Sequence, residues 1–376
     1  MTHPGGNEPS GRSNCLPEAD FDLLKYTFDV PEAQVSQHPA GHRHDSRLLV
    51  LERATDRIRH TTFKNIAEYL PEGTVLVLNS SKVFPARLHC IKEQTGGRAE
   101  FLILTPLALI RPCAGAAGWS SADIRGLVKP ARSLRLGHRL HCGPDLQVTV
   151  TSKEASGEVR AVLAWKGELQ KTLEKQGRMP LPPYIKRPDC QEDRSRYQTV
   201  YARNDKCGSA AAPTAGLHFT PATFTSLATK NIVTAEVTLF VGHGTFQPIR
   251  CRDIRHHRMH EEYYEISEDC AAALRRAKAE GRPVAAVGTT TVRTLEGAFR
   301  QHGEITACSG STDLFIYPGF DFKVVDHLLT NFHLPKSTLL IMVSAFAGRS
   351  RVLHAYTEAI KRGYTFFSYG DAMLIL

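Results

Sequence analysis

The chain has 376 residues, 42% of them hydrophobic and 23% charged, a globular make-up long enough for two or three domains. Its 47 Lys and Arg against 38 Asp and Glu leave a net charge of +9, which favours a polyanionic partner, and no apolar run nears membrane-spanning length. None of the nine cysteines forms a C-x-x-C pair, so neither a zinc site nor a small disulfide framework is supported, and the thiols read as reduced in a soluble cytoplasmic protein.

Residues 1–20 are rich in Gly, Pro, Ser and Asn without an apolar stretch and read as a loose tail rather than a signal peptide. Strand-like segments follow at 47–52 and 57–63, then a short helix at 64–70. From 74 to 165 the texture is six short strands, VLVLN, ARLHCIK, RAEFLIL, DIRGLVK, LQVTVT and VRAVLAW, broken by turn signals such as Thr95-Gly96-Gly97. That spacing predicts a small β-barrel domain over 74–165.

Helical spacing returns at Leu169 and Leu173, with Gly177 as the stop. The stretch RYQTVYARNDKCGSAAAPTAGLHFT (196–220) then gathers hydroxyls, an amide, aromatics and a histidine around small residues, as a loop that cradles a polar ligand would. Ser267 is placed to cap a helix with Cys270, Ala273, Leu274 and Ala277 on one face, and a buried strand at 283–287 runs into Gly288 and three threonines that open another helix. Such a helix start suits an anion or carboxylate. Two helices capped at Ser337 and Ser350 and a last strand at 365–369 complete the order. The fold class is therefore α/β, a mixed-sheet main domain over 21–73 and 166–376 with the barrel inserted.

Further segments carry chemistry. Val241-Gly242-His243-Gly244-Thr245-Phe246 places glycines around a histidine, while Leu329 to Ser337 and Ser368-Tyr369-Gly370-Asp371 are polar strings of the kind found at sites. The run from Arg252 to Glu262 is dense in Arg and His but lacks H-E-x-x-H, so a phosphate-facing patch is favoured over a metal. A second basic row, Arg125, Lys129, Arg132, Arg135 and Arg139, lies in the barrel region. No phosphate-loop, nucleophile-elbow or dinucleotide fingerprint occurs.

Twelve segments in order, among them MPLPPYIKR, RYQTVYA, AAPTAGLHFT, VTLFVGHGTFQP, MHEEYYEI, AVGTTTVRTLE, LLTNFHLPKSTLL and FFSYGDAML, closely resemble the S-adenosylmethionine:tRNA ribosyltransferase-isomerase family of queuosine biosynthesis. The resemblance runs from about Phe21 to the C-terminus. It implies an α/β domain with an inserted β-barrel and a reaction in which the ribosyl part of S-adenosylmethionine, a consumed substrate and not a cofactor, moves onto a 7-aminomethyl-7-deazaguanine at the wobble position of tRNA. Adenine and methionine leave, the sugar becomes the epoxycyclopentane of epoxyqueuosine, and no metal is required. The partner is then a tRNA with a GUN-type anticodon, and the protein is expected to be a monomer without membrane contact.

Within that family reading, the base is sought among histidines, His218 first and His243 or His333 next, with Asp45 and Asp371 as rivals. Thr214, Thr289, Thr290 and Arg293 are expected to hold the methionine carboxylate or ribose. Arg196, Tyr197, Gln198 and Tyr201 are expected to face the RNA base, and Asn331 and His243 to line the substrate site. Three departures stand out: Asn79-Ser80-Ser81-Lys82 replaces the family's usual Asn-Asp-Thr-Arg, His243 replaces a small residue, and 1–20 and 108–121 are additions. The competing reading is a non-catalytic tRNA-binding protein on the same scaffold.

Overall fold

The computed structural model describes residues 17–131, 135–154, 157–242 and 249–376. The expectations for residues 1–16, Arg132 and His243 lie outside them. A nine-stranded sheet forms the larger body, in the spatial order Cys308–Thr312, Glu262–Ile266, Val233–Leu239, Val75–Asn79, Val284–Val287, His327–Asn331, Ala372–Ile375, Arg47–Glu52, Arg57–Thr62. Its four central strands run parallel. Alternation divides Val75–Asn79 and Val284–Val287 between two cores: Val75 and Val77 share one with the helices Glu268–Ala279, Thr289–His302, Thr338–Ala347 and Arg349–Lys361, and Leu76 and Leu78 pack under Pro221–Ala228. Burial on both faces explains why these strands read as continuous apolar runs.

The smaller body is a closed antiparallel barrel of six strands, Arg87–Lys92, Arg98–Ile103, Trp119–Lys129, Arg139–Gly143, Leu146–Lys153 and Glu158–Lys166. Trp119–Lys129 closes it, its residues 119–127 pairing with the whole of Glu158–Lys166. Val159, Ala161, Leu163 and Trp165 alternate into its core. Two strand assignments change. Val75–Asn79, expected in the barrel, is instead a central strand of the main sheet, because all five of its residues are buried and none alternates outward. The sixth barrel strand is Arg139–Gly143, whose short length and Arg and His hide its buried Leu140 and Cys142.

The thiols also differ from expectation, since Cys90 and Cys142 form a disulfide with Cα atoms 4.0 Å apart. They are 52 residues apart and meet because adjacent barrel strands place Ile91 opposite His141, the neighbouring position. Sequence spacing alone carries no trace of this. The addition at 108–121 folds back as a hairpin, Cys113–Ala114 pairing with Ser120 and Ser121 at the barrel edge. Residues 365–369 form no strand: Phe366 N–H donates to Gln34 O, and the last strand is Ala372–Ile375. At the other end, residues 18–20 are not loose but form a turn tied down by the Arg349–Asp20 pair at 2.7 Å. Among the described residues no helix is long and apolar enough to cross a membrane.

Candidate active site

A cleft of about 600 Å³, open to solvent, lies where the parallel strands end, the usual position for a ligand in an α/β sheet. Its floor begins at Gly288, which follows the strand Val284–Val287 with φ of 87°, a left-handed conformation natural to glycine. Gly288 offers no side-chain cap to the helix Thr289–His302, so that helix presents first-turn N–H groups beside the Thr289 and Thr290 hydroxyls that line the cleft. A carboxylate is the natural occupant of such a place. Asn79 fixes the geometry from below, its amide nitrogen donating to Thr290 Oγ1 at 3.3 Å and to Leu239 O at 3.0 Å.

The opposite wall comes from the strand His327–Asn331 and the turn after it. Asn331 is buried, and its amide nitrogen donates to Phe367 O at 3.1 Å and His218 Nε2 at 3.2 Å. Its Oδ1 has no protein partner, and a buried amide oxygen left unpaired costs free energy unless a ligand or water meets it. His333 lines the same cleft, its Nε2 2.7 Å from Thr330 Oγ1 and its backbone N–H donating to the Tyr356 hydroxyl at 2.9 Å. Burial pushes His333 down to about 3, so the imidazole is neutral at working pH.

The third wall is aromatic. Tyr184 and Phe367 pack with ring centroids 4.8 Å apart, and the Tyr184 hydroxyl lies 2.6 Å from Ser368 Oγ. Phe367 holds φ of 73°, a strained conformation for a bulky residue. The neighbouring Gly370 is required, because a Cβ there would stand 2.5 Å from the Phe366 carbonyl carbon. Behind this turn Asp193 accepts from Arg187 Nη1 at 2.7 Å, Arg187 Nη2 at 2.8 Å, Cys190 N at 2.8 Å and the Tyr369 hydroxyl at 2.8 Å. Although burial opposes it, those donors hold the Asp193 carboxyl well below the usual range.

The expected site residues divide clearly. Thr214, Thr289, Thr290, Asn331 and His333 line the cleft. His218 stands one layer behind it, buried, its Nδ1 2.7 Å from Ser46 Oγ and its Nε2 taken by Asn331; burial, with Arg43 nearby, pushes it too down to about 3. Asp45 is exposed and outside the cleft lining. Arg196 is spent on the carbonyls of Ala40 and Gly41 and on Glu192.

Four expected substrate contacts lie outside the cleft lining. Tyr197 is fully buried against Tyr369, and Gln198 is locked to the backbone of Val83 at 3.0 and 2.6 Å. Tyr201 packs among Phe219 and Phe224. None of the three lines the cleft. Arg293 is buried, its guanidinium used by Glu262, Leu314 O and Thr312 O. Asp371 likewise accepts from the N–H of Arg47 at 2.6 Å and of Thr365 at 2.7 Å, and burial raises its pKa.

Part of the Arg and His run is held in ion pairs, while Arg252, Arg255, His256 and Arg258 remain exposed. Arg252 pairs with Asp22 at 3.5 Å, Arg255 with Asp253 at 2.7 Å and Glu18 at 3.3 Å, and His260 with Glu158 at 3.1 Å. Where the family's Asp and Arg are absent, the Ser80 hydroxyl donates to Val237 O at 3.2 Å and Lys82 reaches Asn204 at 2.7 Å, and neither lines the cleft. The residues missed were Tyr184, Phe367 and Ser368. They lie in segments already singled out, but no residue type announces the backbone that aims them inward.

The two buried histidines give a stability prediction. Both are neutral when folded and bind a proton near pH 6.5 when unfolded, so the unfolded state holds more protons between that value and about 3. Stability is expected to be level above pH 6.5 and to fall by up to roughly 1.4 kcal/mol per pH unit for each histidine below it. Denaturant melts between pH 8 and 5 check this; a flat midpoint would show the rings titrating normally.

The family model described as "Queuosine biosynthesis protein" matches residues 23–375. A curated protein of Nitratidesulfovibrio vulgaris (strain DP4) named S-adenosylmethionine:tRNA ribosyltransferase-isomerase is 54% identical over 95% of this chain and 98% of its own length. One of the same name from Staphylococcus haemolyticus is 45% identical over 95% of this chain and 100% of its own. The crystal structure of S-adenosylmethionine tRNA ribosyltransferase from Thermotoga maritima is 37% identical, with a TM-score of 0.52 over 95% of this chain and 100% of that one. The chain therefore belongs to the queuosine biosynthesis family of S-adenosylmethionine:tRNA ribosyltransferase-isomerases.

Proposed function

We propose that this chain moves the ribosyl part of S-adenosylmethionine onto the aminomethyl group of a 7-deazaguanine at the wobble position of a tRNA with a GUN-type anticodon, isomerising the sugar to the epoxycyclopentane of epoxyqueuosine. It works as a cytoplasmic monomer without a metal or resident cofactor. The observation that carries the reading is the meeting, in one cleft, of the uncapped helix start at Thr289, the unpaired Asn331 Oδ1 and the neutral His333.

Each group matches a part of the donor. The first-turn N–H groups and threonine hydroxyls at 289 and 290 suit the methionine carboxylate. The faces of Tyr184 and Phe367 suit the sulfonium and the flat adenine. Asn331 Oδ1 accepts from an amino group. His333 takes the acidic proton beside the sulfonium, and because burial makes its imidazolium a strong acid, it readily passes a proton on to departing adenine. The sulfonium carbon–sulfur bond breaks with its electron pair going to sulfur, so methionine leaves as a neutral thioether and no buried positive charge is stranded.

Adenine release is expected only when S-adenosylmethionine and tRNA bearing the 7-aminomethyl-7-deazaguanine are supplied together, with a matching mass gain on the RNA. Chromatography of the reaction and mass spectrometry of digested tRNA measure both. Tight tRNA binding without adenine release would leave the non-catalytic RNA-binding reading instead.

A further inference from the structure

A second cavity, of about 880 Å³ and open to solvent, lies between the barrel and the main sheet. Leu104, Pro106, Arg125 and Glu158 come to it from the barrel side, and Phe240, His260, Glu261 and Tyr263 from the main domain. None of the roles given above to the donor cleft uses it. We infer that this interdomain cavity is the acceptor subsite, receiving the cationic 7-deazaguanine base between its aromatic wall and its carboxylates.

Three features carry the inference. First, the cavity is shaped for a flat ring: Phe240 and Tyr263 lie nearly parallel, 22° apart with centroids at 6.1 Å. Phe240 is buried, and Tyr263 remains half-exposed to offer its face. Stacking on such rings is how unpaired RNA bases are held. Second, the rim carries an accessible carboxylate: Glu262 is spent on Arg293 and Glu158 lies 3.1 Å from His260, whereas Glu261 is exposed and, among the described residues, takes a hydrogen bond only from the Ser311 hydroxyl. Carboxylates repel a phosphate, but they accept from the N1–H and 2-amino group of a guanine-type base and attract its aminomethyl ammonium. Adenine presents no such donor pair.

Third, the cavity adjoins the donor cleft. Phe240 and Gly242 line the cavity, whereas Val241 between them lines the cleft. A single extended stretch therefore separates the two spaces, and at Gly242 that wall has no side chain. Its place is fixed by Glu262, which accepts from Gly242 N–H at 2.8 Å while paired with Arg293.

The inference rests on the proposed function, and the test separates the two. Full-length Tyr263→Ala, Tyr263→Phe and Glu261→Gln proteins are compared with the wild type for steady-state adenine release and for binding of anticodon stem-loops. Loss of the stacking face is expected to raise KM for modified-precursor tRNA about 10- to 100-fold, with KM for S-adenosylmethionine unchanged and the Phe variant close to wild type. Glu261→Gln should reduce the preference for a guanine-type base over adenine at the wobble position about tenfold. If the wild type turns over but Tyr263→Ala keeps its tRNA KM within twofold, or loses S-adenosylmethionine binding equally, the acceptor assignment is wrong and the function stands. If the wild type releases no adenine with any tRNA, the functional reading itself fails.

Discussion

His333→Gln is expected to slow adenine release by about 10²- to 10⁴-fold, the usual contribution of a positioned proton-transfer group, with little change in S-adenosylmethionine affinity. The imidazole lines the cleft, is neutral through burial, and is held by Thr330 at one ring nitrogen and by the Tyr356 hydroxyl at its backbone. His218→Ala offers the contrast. That ring touches Asn331 from behind, so its loss should act through Asn331 and raise KM for S-adenosylmethionine as well as lower kcat, whereas a direct base would affect kcat with KM nearly constant. Isothermal titration of the donor alongside single-turnover adenine release distinguishes them. Should His218→Ala abolish turnover with donor affinity intact while His333→Gln turns over normally, the two roles are exchanged.

Glu262→Ala is expected to cost about 3–5 kcal/mol of stability, because it leaves the Arg293 guanidinium charged and unpaired in the core. Both side chains are almost inaccessible, 5% and 4% exposed. Glu262 also holds Gly242 N–H, so the variant should lose activity even at temperatures where it stays folded. The double variant Glu262→Leu with Arg293→Met should recover most of the lost stability, since no buried charge remains, yet it should not recover activity, because nothing then fixes Gly242. Thermal melts with a double-mutant cycle check the first part and adenine release the second. A single variant as stable as the wild type would show that water reaches the pair.

Much of this architecture was legible in the residues. The helix starts at Ser267 and Ser337 are capped as expected, each hydroxyl accepting from the N–H three residues on, because a cap is a local event. The Gly288-Thr289-Thr290 passage was readable for the same reason. What escaped depends on partners distant in the chain. The strand Val75–Asn79 looks like any short apolar run until its neighbours at 233–237 and 284–286 are known, and Cys90 with Cys142 is a product of barrel register. Arg293, Tyr197 and Asp371 carry the residue types that ligands attract, but the fold spends them on Glu262, Tyr369 and the Arg47 and Thr365 N–H groups. Phe367 entered the cleft through a backbone angle that its residue type disfavours.

The placement of Val75–Asn79 at the centre of the large sheet has a consequence for biosynthesis. Its bonding partners begin at Val233 and Val284, so this apolar strand leaves the ribosome with both edges bare and waits through some 150 residues of translation for its first neighbour, at Val233. The barrel is contiguous between Arg87 and Lys166 and can close on its own in that interval, as locally connected units do. A ribosome stalled soon after the barrel has emerged should therefore display a protease-resistant fragment at 87–166 behind a strand that chaperones bind.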